Sequence, residues 1–201
     1  MSAPAASPDT VIGLDIGTTS TIGIAVRMPG EIVHVASRPV SLSSPHPGWA
    51  EEDPAEWWAN SVAGLREIVA ALPGGGASLA GLCVTGMLPA VVLLDAAGNV
   101  LRPSIQQSDG RVGAEVEALK AELDEAAFLA RTGNGVNQQL VAAKLRWIAR
   151  HEPEVFARIA TVFGSYDYVN FRLTGRRAVE QNWALEAGFT DLADDRIAAD
   201  L

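Results

Sequence analysis

Near the start of the chain a carboxylate, Asp15, is followed closely by the hydroxyl-rich stretch Gly17, Thr18, Thr19 and Ser20. Gly17 allows a tight turn, and the three residues after it offer hydroxyl and backbone N–H donors to an anion. A bare phosphate would be repelled by Asp15. The role that suits this carboxylate is therefore to hold a hydrated Mg²⁺ that neutralises phosphate charge. An ordinary hairpin turn fits the same spacing, and spacing alone does not choose between the two.

The elements that must position Asp15 are two strands from Val11 to Val26. Side chains alternate across a strand, so Ile12, Leu14 and Ile16 face one way and Gly13, Asp15 and Gly17 the other. On the return strand Ile22, Ile24 and Val26 are expected on the apolar side, with Thr21, Gly23 and Ala25 opposite, leaving room around Asp15 from both strands. Glycine inside a strand often marks close approach of a ligand or another backbone.

Two further polar clusters stand at element ends. Gln106 to Arg111 lies between an apolar segment and a helix bearing Val112, Val116 and Leu119, a placement that suits a pocket or a solvated loop. Asn134, Asn137, Gln138 and Gln139 form an amide-rich loop without charge, which suits a neutral hydroxylated ligand. It follows a short helix, Glu125 to Arg131, and precedes one carrying Leu140, Val141, Leu145, Trp147 and Ile148, with Lys144, Arg146 and Arg150 between them.

The scaffold reads as mixed α/β. Glu31 to Val40 is a strand. Asp53, Pro54 and Glu56 give an N-cap, a first-turn proline and a capping-box acid for a helix whose core stripe is Trp58, Val62, Leu65, Val69 and Leu72. Leu79 to Thr85 and Ala90 to Leu94 are strands on either side of Gly86, Met87, Leu88 and Pro89. Thr161 to Phe163 is a strand, and the helix after it ends at Thr174 and Gly175. Gln181 to Trp183 and Phe189 to Asp191 read as loop and turn, and Ile197 to Leu201 as a helix cut short.

With 201 residues, 48% hydrophobic and 19% charged, the chain reads as one folded domain over 11–201 behind a disordered tail at 1–10. The formal charge of -9 argues against a nucleic-acid partner. No apolar run approaches the ~18 residues of a membrane span, and the first ten residues lack a signal-peptide pattern. A cytoplasmic location is expected. Cys83, the single cysteine, sits in an apolar run and reads as a buried, inert thiol.

Several stretches, in order, resemble the FGGY carbohydrate kinases, most closely their xylulokinase-like members. They are Gly13 to Thr18; Pro45 to Trp49 with Glu52, Asp53, Pro54, Trp57 and Trp58; Val92 to Asp95; Arg102 and Pro103; Asp109 to Arg111; Lys144 to Trp147; His151 to Glu154; and Asp167 and Tyr168 through Gly175. The resemblance implies a ribonuclease-H-like domain of the actin-like ATPase superfamily, a mixed sheet flanked by helices. It implies ATP and Mg²⁺ as cofactors, with Asp15 on the metal, and in-line phosphorylation of a ketose or polyol hydroxyl, xylulose first. Leu88, Pro89, Gln107, Asp109 and Gln139 would line the sugar site. The second, ATP-binding lobe and the catalytic Asp that acts as general base would lie beyond residue 201, so the 201 residues alone are expected to be inactive. A homodimer is left open.

The departures concern the substrate. Family members often carry Gly-Gln-Met-His-Gly where Gly86 to Ala90 stands, and Trp-Asn-Asp-Gly-Arg where Gln107 to Arg111 stands, so a His is replaced by Pro89 and a Trp by Gln107. Sites that hydrogen-bond particular hydroxyls discriminate strongly, and changes at such positions can change the sugar. Two other readings stand beside the kinase lobe. One is a stand-alone sugar-binding or regulatory protein without activity. The other is an actin-like or chaperone-like ATPase, which gives no reason for the xylulokinase-like stretches.

Overall fold

The computed structural model describes residues 8–194 and 196–198. In chain order its elements are β1 (Thr10–Ile16), β2 (Ser20–Arg27), β3 (Glu31–Pro39), β4 (Glu51–Glu52), α1 (Pro54–Ala71), a 3-10 turn (Gly75–Ser78), β5 (Leu79–Gly86), β6 (Val92–Leu94), β7 (Ser104–Ile105), α2 (Gly113–Glu122), α3 (Glu125–Thr132), α4 (Val141–His151), α5 (Pro153–Phe156), β8 (Thr161–Phe163), α6 (Ser165–Thr174), α7 (Gln181–Glu186), β9 (Thr190–Asp191) and β10 (Arg196–Ile197). No helix among the described residues is long and apolar enough to cross a membrane. The chain divides into two compact units, residues 1–41 with 55–86 and residues 42–54 with 87–201.

The first unit is a mixed sheet in the order β3-β2-β1-β5, with antiparallel β3, β2 and β1 and a parallel β1–β5 pair. Residues directly opposite in a ladder share a face. Ile12 pairs with Ala25, Leu14 with Gly23 and Ile16 with Thr21, so the small residues of β2 join the buried face, where Ile12, Ala25, Ala36, Ile68 and Leu72 form the core. The expected phase of β2 is therefore reversed: Ile22 and Ile24 lie opposite Asp15 and Gly13 on the other face. Size explains the reversal. A Cβ on Gly23 would stand 2.7 Å from the Ile68 Cδ1 atom, so an empty position there lets α1 pack onto the sheet.

The buried stripe of α1 is offset from the expected one at its start, while the expected Leu65 packs against the core and the expected Leu72 is buried just past the helix end. Trp57, Ser61, Gly64, Ile68 and Leu72 are buried, whereas Trp58, Val62 and Val69 are only partly so. The contact is made through small residues, which the spacing of large ones does not reveal. A Cβ on Gly64 would meet Ala36 Cβ at 3.8 Å. Glu56 accepts hydrogen bonds from the Ser41 backbone and hydroxyl at 2.9 and 3.1 Å, tying the end of β3 to the helix start.

Cys83 is exposed, against expectation. It belongs to β5, at the sheet edge, on the face away from α1 and beside Gly13. An apolar run is buried only where a second layer covers it. Among the described residues of this unit, that face borders shallow apolar cavities of about 210 and 430 Å³ instead.

The second unit is built from short strand pairs, β4–β7, β6–β8 and β9–β10, all antiparallel, with α2 to α7. Its centre is β6, whose Val92, Leu93 and Leu94 are all buried. The expected strands around Leu88 and Pro89 thus fall in different units: β5 pairs with β1, and β6 with β8. Gln181 to Glu186 is a helix rather than a loop, because Glu180 accepts from the amides of Asn182 and Trp183 as an N-cap. The buried Trp183 fixes it by donating to the Ala90 carbonyl at 3.1 Å. Thr190 and Asp191 pair with Ile197 and Arg196 as strands, so Ile197 does not begin a helix, and residues 199–201 lie outside those described. Of the expected tail, residues 1–7 are likewise outside, while Thr10 belongs to β1.

Gly23→Val is expected to lower stability by about 1–3 kcal/mol through overpacking against Ile68. Gly81→Val, where an added Cβ meets nothing within 4 Å, should cost far less. Thermal or denaturant unfolding of the two variants checks this, and equal midpoints would contradict the packing account.

Candidate functional site

In the first unit the end of β1 carries Asp15 as an exposed carboxylate, across from Ile22 on β2 and Thr85 on β5. A cavity of about 210 Å³ beside it is lined by Gly13, Leu14, Asp15, Ile22, Ile24, Cys83 and Thr85. The turn that follows is closed by the Gly17 amide donating to the Ser20 carbonyl at 3.0 Å, with Thr18 and Thr19 exposed at its tip. A Cβ on Gly17 would stand 3.0 Å from the Ser20 carbonyl oxygen, so a side chain there would press on the turn, while Asp15 Oδ2 at 3.6 Å would be in ordinary contact. Among the described residues no cluster of three or more His, Cys, Asp or Glu could hold a metal alone. One exposed carboxylate is nevertheless what Mg²⁺ uses when phosphates and water complete its shell. The donor set fits a phosphate-bound Mg²⁺, not a self-sufficient metal centre.

The second unit gathers most of the other expected positions around a buried ion network. Asp109 is 1% exposed. Its Oδ2 accepts from the Ala50 amide at 2.6 Å and Arg111 Nη2 at 2.7 Å, and its Oδ1 accepts from the Arg111 amide and Nε, both at 2.9 Å. Four donors fill a carboxylate's acceptor positions. Burial by itself would raise the Asp109 pKa, but the hydrogen bonds from Arg111 and the two amides outweigh it and hold the carboxyl below the ordinary value. Arg111 also meets Glu51 Oε1 at 2.8 Å, and Glu51 is shared with Arg102, which reaches Glu152 at 2.8 Å. The guanidinium of Arg111 lies 3.7 Å from the centre of the Trp49 ring and 4.9 Å from that of Trp147, a cation–π arrangement.

Around this network stand the loops. Pro89 is buried and Leu88 half-buried; Gln107 is half-buried and Gln139 exposed. The side chain of Gln138 lies beside Gly110, 3.5 Å from where a Cβ would stand, so the amide loop abuts the Asp109–Gly110 turn. Leu88, Gln107 and Gln139 thus sit on loops of one unit and can present surface to a ligand, whereas Pro89 is buried with its carbonyl bonded to Lys144, and Asp109 is fully engaged and shapes the turn from within. Asp15 and the Gly17 to Ser20 turn belong to the other unit.

Sequence reasoning passed over Lys144, which is buried and donates to the carbonyls of Pro89 and Gln106 at 3.0 and 3.1 Å. The signal was present: Lys144 lies four residues after Leu140 and three before Trp147, squarely in the buried stripe of α4.

The model of the FGGY family of carbohydrate kinases, N-terminal domain, matches residues 10–197. The chain belongs to the FGGY family of carbohydrate kinases. It is similar to the xylulose kinase of Escherichia coli (strain K12), 34% identical over 185 residues that cover 90% of this chain and 37% of that protein. The crystal structure of xylulose kinase from Rhodospirillum rubrum matches at TM-score 0.93 and 68% identity, covering 95% of this chain and 40% of that one. Plasmodium falciparum glycerol kinase with ADP, 20% identical over 98% of this chain and 41% of its own, shares the fold at TM-score 0.86. The mixed α/β sheet and these neighbours agree with the actin-like ATPase fold expected from the sequence. The chain spans about 40% of the length of the relatives it matches.

Arg111→Met should cost about 3–5 kcal/mol, because it strands the buried Asp109 charge. The contribution of Asp109 is complete above its unfolded pKa of about 3.9 and is lost as pH falls through the lower folded value. Asp109→Asn should therefore be less stable at pH 7 and flatter in its acid dependence. Denaturant unfolding between pH 7 and 3 reads both effects.

Proposed function

We propose that this chain is the N-terminal, sugar-binding lobe of an ATP-dependent kinase that phosphorylates a hydroxyl of a neutral ketose or polyol, with xylulose the first candidate. The observation that carries the reading is the 68% identity to the Rhodospirillum rubrum xylulose kinase over 95% of the chain. The accessible positions support it, since Leu88, Gln107 and Gln139 offer apolar surface and neutral hydrogen-bonding groups, while the charges of Asp109 and Arg111 in the same loop are buried and paired with each other.

In this reading the loops of the second unit hold the sugar and Asp109 fixes their shape. The amides and hydroxyls of Thr18, Thr19 and Ser20 face the transferring phosphate. Asp15 holds Mg²⁺, which supplies neutralisation of phosphate charge when bound. Catalysis then rests on positioning and charge stabilisation, with a general base taking the hydroxyl proton. That base, and the lobe that clamps ATP, come from the part of the relatives' length that this chain does not span. We place the protein in the cytoplasm, where ATP is available.

Sugar-dependent ADP release by the full-length protein, measured over ketopentoses, ketohexoses, polyols and sugar acids, tests the proposal. Activity confined to neutral acceptors supports it. Saturable sugar binding with no phosphoryl transfer would instead mark a sugar-binding protein. Asp15→Asn should lower kcat by about 10²-fold or more, the size expected for losing a preorganised electrostatic group. Near-normal turnover of that variant would remove Asp15 from the mechanism.

A further inference from the structure

Lys144 is wholly buried in α4, 0% exposed, and among the described residues no carboxylate is bonded to its ammonium. Leu or Met would fill such a position at less cost in desolvation. What the lysine adds is geometry. Its Nζ donates to the Pro89 carbonyl at 3.0 Å and to the Gln106 carbonyl at 3.1 Å, joining three segments distant in sequence.

The two carbonyls stand where strand pairing runs out. The Val91 amide donates to the Ile105 carbonyl at 3.1 Å, as an isolated bridge, and pins one end of the two segments. One or two residues further, at Pro89 and Gln106, Lys144 is the shared donor. Immediately beyond lie Leu88 on one segment and Gln107 on the other, and α4 itself starts just after Gln139. One ammonium thus sits behind all the loops assigned to the sugar. Burial lowers its pKa to about 8, with Asp109 opposing the shift and Arg111 adding to it, so the group remains mostly charged near neutral pH.

We propose that Lys144 is a positioning residue for sugar specificity: by holding the Pro89 and Gln106 carbonyls against α4, it sets the distance between Leu88–Pro89 and Gln107, and with it which hydroxyl pattern fits between them. This rests on the sugar-site reading above. Lys144 touches no substrate and acts through the two backbone segments.

The test is Lys144→Met in the full-length protein, which keeps length and removes the donors, with Lys144→Gln as a second variant that retains an amide donor. The readout is the ratio of kcat/KM for D-xylulose to that for its epimer D-ribulose, a ratio independent of how much protein is folded. Lys144→Met should change this ratio on the order of 10-fold, within the range of effects from misplaced positioning groups. The sugar KM should rise while the ATP KM stays unchanged, and Lys144→Gln should fall between. An unchanged ratio in an active variant overturns the proposal.

Amide hydrogen exchange provides the measurement independent of activity. Exchange in Lys144→Met should quicken at residues 87–91 and 104–110 and stay as in wild type at β1 and β2. If exchange is unaltered there, or quickens uniformly, the clamp is refuted. A wild-type protein that phosphorylates neither sugar would count against the kinase reading, and the exchange result would still decide the clamp.

Discussion

The loops of the second unit are shaped by a buried ion network centred on one carboxylate. The Asp109 carboxylate has four protein donors, two of them backbone amides and two from the Arg111 side chain, so the turn from Gln106 to Arg111 can close in only one way. Arg111 in turn is fixed by Glu51 on β4 and by the faces of Trp49 and Trp147. Such networks add little net stability over an apolar core of the same volume, yet they are costly to break. Here the network determines where Gln107 and the amide loop stand. In the proposed sugar site, Asp109 and Arg111 therefore act on the loop and not on the sugar.

The first unit follows a different constraint, which is close approach. Gly23 lets α1 pack down onto the sheet, and Gly17 leaves the turn after Asp15 uncrowded. The result is a carboxylate at the end of a well-packed strand, exposed and beside a donor-rich turn. A rigid strand behind a bare tip suits a group that must orient phosphate or its metal without moving.

Much of this was legible in the sequence. Asp15 followed by Gly17, Thr18, Thr19 and Ser20 marked an exposed carboxylate beside a tight turn, and the ordered stretches from Gly13 to Gly175 pointed to the family and fold that the comparisons bear out. What was not legible depended on pairing and on layers. The face of β2 could not be known without its register against β1, because a one-residue phase exchanges every side chain between faces. Part of the stripe of α1 was missed because Ser61 and Gly64 carry no hydrophobic signal. Cys83 looked buried because an apolar run does not say whether anything covers it. The burial of Lys144 was not foreseen because a charged residue in a helix is by default placed in solvent, although its spacing from Leu140 and Trp147 put it in the core.

The loops of the second unit, shaped by Asp109 and Lys144, are proposed to hold the sugar, and a crystal structure of the full-length protein with xylulose bound decides the matter. Sugar hydroxyls are expected within hydrogen-bonding distance of the Leu88–Pro89 segment, Gln107 and Gln139, with Asp109 still bonded to Arg111 behind them. A sugar seated away from all three loops, or one that displaces Arg111 to bind the Asp109 carboxylate, would contradict this assignment.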